Sequence, residues 1–152
     1  MDNINKICFA YPVVYKEDMT KEESCVPSPL VSAYGSEKGS VIDLLVNVGI
    51  MVSLKAKTHI NVVINKKGDI DKPEETNTNG RFENLKSNIL HNKQAVILTS
   101  LFLENVEFKG SGEYEIRVSL FGSNSDGEKI PEPIDTYHSY FYFLAIGNSE
   151  HA

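Results

Sequence analysis

The stretch Ile42–Leu54, IDLLVNVGIMVSL, decides the fold. Every even position in it is aliphatic, from Ile42 through Leu44, Val46, Val48, Ile50 and Val52 to Leu54, while Asp43, Asn47, Gly49 and Ser53 fall among the odd ones. Successive side chains of a β-strand point to opposite faces, so this pattern is a strand with one buried and one polar face. Leu45 and Met51 interrupt the polarity of the odd face, which predicts that part of it is also covered. Gly49 predicts a bend or bulge, in a run long enough for two strands or one kinked strand.

Working outward, Thr58, Ile60, Val62 and Ile64 alternate with His59, Asn61 and Asn65 in a second strand that stops at a turn-forming Asn-Lys-Lys-Gly-Asp sequence. Residues 66–81 are polar and contain Pro73, as expected of an exposed loop. Strands are predicted over 95–108, 113–121 and 136–146. Tyr114, Ile116, Val118 and Leu120 give the middle one its inside-outside pattern. Residues 7–15 read as an edge strand, because Pro12 has no N–H for a central ladder. Residues 16–40 form a long excursion with a short strand at 30–34 inside it, since long structureless loops are uncommon in compact domains. Phe82, Leu85, Ile89 and Leu90 recur at helical spacing and predict a short helix near 82–92, with an irregular crossing loop as the alternative.

Helical patterns do not alternate with the strands in βαβ fashion, so the chain is expected to be all-β and mainly antiparallel. The expected architecture is a β-sandwich of about six to eight strands, with a closed barrel as the alternative. Residues 1–152 are expected to form one domain. The segment Gly112-Glu113-Tyr114-Glu115-Ile116 resembles the tyrosine corner of immunoglobulin-like modules, in which a Tyr near a strand start hydrogen-bonds back to the chain. Gly110 stands where that pattern carries Asp, Ile116 stands where antibody domains carry Cys, and the chain has no Trp. The resemblance implies a likeness of fold and no particular family.

The 152 residues are 41% hydrophobic and 24% charged, which excludes a disordered composition, and carry a net charge of -6. That charge disfavours nucleic acid and anionic membranes as partners. No apolar run reaches the roughly 18 to 20 residues that span a bilayer, and the N-terminal sequence lacks the pattern of a secretory signal. A cytoplasmic protein is therefore expected. The two cysteines, Cys8 and Cys25, read as small apolar fillers.

The usual signatures of catalysis are missing. The four histidines form no local ligand pair, so neither a metal nor a cofactor is expected. His59 is predicted to lie on the solvated face of its strand. Gly68-Asp69-Ile70-Asp71 lacks the further ligands of a calcium loop and reads as a turn. Gly110-Ser111-Gly112 connects strand to strand and is no nucleophile elbow. Glu113 and Glu115 fall on a face expected to be wet.

The most distinctive segment is Thr136–Leu144, TYHSYFYFL. Alternation puts Tyr137, Phe141 and Phe143 on one face as core, and aligns His138, Tyr140 and Tyr142 on the other. An outward aromatic ladder with polar tips suits a protein interface, because rigid aromatic side chains bury much area at little entropic cost. It also suits simple cross-strand packing. The reading is a non-enzymatic protein-binding module of inhibitor, immunity or regulatory type, whose candidate site is His138, Tyr140 and Tyr142. The alternatives are a self-associating structural protein, and a small-ligand binder or enzyme with a pocket around His138.

Overall fold

The structure, a computed structural model, describes residues 4–34, 40–67 and 80–146. It contains strands β1 (Lys6–Val14), β2 (Leu30–Tyr34), β3 (Ser40–Ser53), β4 (His59–Lys66), β5 (Gly80–Ile89), β6 (Gln94–Phe108), β7 (Gly112–Phe121) and β8 (Asp135–Ile146). They form two four-stranded sheets, a first with order β1-β3-β6-β5 and a second with order β2-β8-β7-β4. Every pairing is antiparallel except that of β2 with β8. The protein is thus an all-β sandwich, as the alternation predicts, and the barrel alternative gives way to two separate sheets. No α-helix occurs among the described residues, and none of its helical turns is long or apolar enough to cross a membrane.

The core lies between the sheets and is built from the even face of β3 and the alternating faces of its neighbours. Leu44, Val46, Val48, Ile50 and Val52 are all buried, in one cluster with Ile116, Val118 and Leu120 of β7. Its aromatic centre is Phe108, Tyr114, Phe141 and Phe143, with Phe108 and Phe143 stacked at 4.3 Å and Phe108 and Tyr114 edge-to-face at 5.0 Å. Such pairs contribute about 0.5–1.5 kcal/mol each beyond area burial. The Tyr114 hydroxyl donates to the Gly110 carbonyl at 3.0 Å, so the predicted corner bond forms. Gly110 has φ +80°, a left-handed conformation that costs a glycine nothing.

Three register shifts, each from one extra residue, correct the sequence reading. The predicted helix over 82–92 is instead β5, paired to β6 from Gly80↔Leu103 to Ile89↔Ala95, followed by a 3-10 turn at His91–Lys93. In a regular strand Phe82 and Ile89 would point to opposite faces. The shift between Asn84 and Lys86 leaves Leu85 extra, which returns both to one face and produces a spacing that imitates a helix.

Nor is β3 divided at Gly49. It is one continuous strand whose pairing with β6 is regular there, and its irregularity with β6 lies between Ile42 and Leu44, where Glu104 and Asn105 of β6 oppose Asp43. Asn105 takes φ 55° there, and its N–H donates to Asp43 Oδ1 at 2.9 Å. Gly49 has a different purpose: the far end of the Phe9 ring lies over it, where any Cβ would collide with the ring.

The third shift, between Ile7 and Phe9, makes Cys8 the extra residue of β1. Cys8 is consequently exposed and is no core filler, while Cys25 is half-buried. Pro12 does lie on an edge strand, and the short strand at 30–34 is β2.

Candidate functional site

The outer face of the second sheet carries the residues singled out in Thr136–Leu144. β8 runs between β2 and β7, so its outward side chains occupy the middle of the face. His138 faces Arg117, Tyr140 faces Glu115 and Tyr142 faces Glu113 on β7, while Leu30 of β2 lies beside Tyr142. The Tyr142 N–H donates to the Pro29 carbonyl at 2.9 Å and ties the start of β2 to this point. As predicted, Phe141 and Phe143 turn inward and are buried, and Tyr137 is half-buried against the core.

The structure brings His138, Tyr140 and Tyr142 into one row and adds residues that the sequence reading did not place with them. Leu30 is 55% exposed, Tyr140 48%, Tyr142 47% and Leu144 40%, which makes an apolar and aromatic strip along β2 and β8. Charge surrounds it. Lys67 Nζ sits 4.9 Å from the Tyr140 ring centroid, where the ring quadrupole attracts a cation. Lys67 is held there by its own N–H, which donates to the Glu113 carbonyl at 2.8 Å and prolongs the β4–β7 ladder. His138 Nδ1 lies 3.5 Å from Glu115 Oε2, and the pair stands on an open sheet face with His138 exposed.

Leu144 was legible in principle, since it continues the alternation two residues after Tyr142. Leu30 was not, because its place follows from a parallel pairing across a large sequence separation. Lys67 read as a solvated turn residue, and only the β4–β7 register puts it over a tyrosine.

The outer face of the first sheet differs in kind. Asn47, read as a solvated odd-face residue, is 0% exposed. Residues 16–29 fold over it: Asn47 Nδ2 donates to the Ser24 carbonyl at 2.8 Å and to the Tyr11 hydroxyl at 3.3 Å, and that hydroxyl donates to the Cys25 carbonyl at 2.8 Å. The cover keeps its shape through a reciprocal cap, with Glu23 N–H donating to Thr20 Oγ1 and Thr20 N–H to Glu23 Oε1. Between this cover and β5 runs a groove of about 500 Å³, floored by Leu45, Ser100 and Phe102 and walled by Tyr15 and Arg81. Ser100 lies directly opposite Asn47 and is 5% exposed. Neither Ser100 Oγ nor Asn47 Oδ1 has a hydrogen-bond partner among the described residues.

A second cleft of about 490 Å³ opens at the seam between the sheets, among Ile50, His59, Ile60, Phe82, Ile97 and Thr99. His59 is half-buried here rather than solvated, with Nε2 3.1 Å from Ser123 Oγ. Neither cleft is lined by His138, Tyr140 or Tyr142. Among the described residues no group of three or more His, Cys, Asp or Glu is placed to hold a metal ion. His151 and the Gly68-Asp69-Ile70-Asp71 turn lie outside the described residues.

No protein-family model matches the chain, and no curated protein matches it in sequence. Among solved structures it is similar to the cohesin module of a family 33 glycoside hydrolase from Clostridium perfringens ATCC13124, at 10% identity, covering 95% of this chain and 100% of that one, with a TM-score of 0.39. A likeness of that size assigns neither function nor partner.

Proposed function

We propose that the protein is a non-enzymatic protein-recognition module that binds its partner through the outer face of the second sheet, centred on Tyr140 and Tyr142. The observation that carries this reading is the exposed strip of Leu30, Tyr140, Tyr142 and Leu144 on a central strand, with Lys67, Glu113, Glu115 and His138 around it. Interfaces concentrate their energy in aromatic anchors within a polar rim, and this face has that composition. Its strands are anchored to a packed core, so the anchors are presented rigidly and little freedom is lost on binding. The net charge of -6 favours a basic partner, whose approach it would accelerate. An inhibitor, immunity or regulatory role fits such a module.

A catalytic reading around His138 would need an enclosed site. Among the described residues, His138 instead stands exposed beside Glu115.

The test is affinity capture from lysate of the native host, with wild type beside a Tyr140→Ala, Tyr142→Ala double variant whose fold is verified by circular dichroism. A stoichiometric partner retained by wild type and lost by the variant is expected. A partner retained equally by both would move the interface off this face, and capture of none by either would count against the reading.

A further inference from the structure

We propose that β5 is a self-pairing edge: two copies of the chain join their first sheets antiparallel across a two-fold axis that sets Glu83 of each copy opposite Lys86 of the other. Among the described residues β5 is the terminal strand of the first sheet, ten residues long and free of proline. Except for the half-buried Leu85, the side chains of residues 81–89 are exposed. An edge of that length presents a row of unpaired backbone donors and acceptors. The other edges are less suited to pairing. β1 contains Pro12, β2 spans only five residues, and β4 carries cationic Lys66 with no acid to oppose it.

The one-residue shift in β5 is what makes the pairing self-complementary. In a regular strand, a two-fold axis normal to the sheet brings together only residues an even number apart, because neighbours point to opposite faces. Glu83 and Lys86 are an odd number apart and would be excluded. The extra Leu85 changes this: Glu83 pairs with Ser100 and Lys86 with Leu98, so both lie on the outer face and in the same phase of the hydrogen-bond ladder.

The axis then passes between the Asn84 residues of the two copies, and Glu83 meets Lys86 twice, once on each side of it. In the same register Arg81 faces Asn88 and Phe82 faces Ser87. Phe82 also becomes the diagonal neighbour of Ile89 from the other copy, within reach of an aromatic ring. Phe82 and Ile89 are both exposed, at 40% and 70%, and Ile89 is the most exposed large apolar side chain among the described residues. The second copy covers them, and the two first sheets become one eight-stranded sheet.

Light scattering and sedimentation equilibrium test this arrangement, and the charges supply the control. Wild type is expected to dimerise. Glu83→Lys and Lys86→Glu each replace two attractive pairs by two repulsive ones and should weaken the dimer by at least about tenfold. Mixing these two variants should produce a heterodimer, because every acid again faces a base, and the double exchange Glu83→Lys, Lys86→Glu should restore the homodimer. That recovery also shows that the single variants are folded. A wild type that stays monomeric at about 100 μM, single variants that dimerise like wild type, or a mixture that remains monomeric would each overturn the proposal. The Tyr140 and Tyr142 face is untouched by these changes, so the outcome is independent of the partner-binding reading.

Discussion

The two outer faces of the sandwich start from comparable alternating strands and end differently. On the first sheet the outward residues of β3 and β6, among them Leu45, Asn47, Ser100 and Phe102, are folded under residues 16–29 or into the groove beside them. On the second sheet Tyr140, Tyr142 and Leu144 remain open, ringed by charge. The first face has been made into a second, minor core, with Asn47 Oδ1 and Ser100 Oγ left without a hydrogen-bond partner among the described residues. The second face keeps its large side chains available. Which face is covered depends on where a connecting segment happens to lie, since both have enough apolar surface to be worth covering.

The two faces should differ most under substitution at the open one. Replacing Tyr140 and Tyr142 together by Ala should cost about 3–4 kcal/mol of partner binding, on the order of a hundredfold or more in Kd by titration calorimetry. The same double change should lower folding stability by no more than about 1–2 kcal/mol, because cross-strand pairs and an exposed cation–π contact are each worth under about 1 kcal/mol. Equal losses of binding and stability would mean that the ladder is packing alone.

At the covered face the order is reversed, and stability carries the signal. Asn47→Ala removes the two donated bonds that fasten residues 16–29 and should destabilise by about 1–3 kcal/mol in urea unfolding. Proteolysis in the 16–25 segment should accelerate with it. A variant with unchanged stability and unchanged cleavage would show that this segment is not fastened through Asn47.

Gly49→Ala should have a smaller effect. The new methyl pushes away the far end of the Phe9 ring, which is partly exposed and free to swing aside, so the loss should stay below about 1 kcal/mol in the same unfolding curves. A larger loss would mean that the ring is fixed on the sheet. Smallest of all is Ser100→Ala. It deletes a buried hydroxyl with no hydrogen-bond partner among the described residues, and thermal unfolding should shift upward or stay within about 0.5 kcal/mol of wild type. A clear loss would reveal a partner for that hydroxyl.

Legibility in the sequence followed the strength of the period-two signal. β3, β4, β6, β7 and β8 were readable because each buries one face against the same core, which forces strict alternation on the chain. β5 was not, because its Leu85 bulge breaks the parity by which a strand is recognised and leaves Phe82 and Ile89 at helix-like intervals. The same device hid Cys8, a bulged residue on β1 that would have been inward in an unbroken strand. For the candidate site, the orientation of His138, Tyr140 and Tyr142 was readable for the reason that β8 was. Leu30 and Lys67 belonged to the strip and its rim only by cross-strand register, which no local pattern records.

By itself the sequence determined the strand class, the inward half of the core, the Tyr114 corner and the outward row on β8, since all of these follow from side-chain alternation or from bonds within a few residues. Only the tertiary structure decided strand order, the parallel pairing of β2 with β8, the burial of Asn47 and the self-complementary edge of β5. These depend on which distant segments lie together and on where a single extra residue shifts the ladder. A local pattern encodes which way a side chain points, and packing alone decides what it meets.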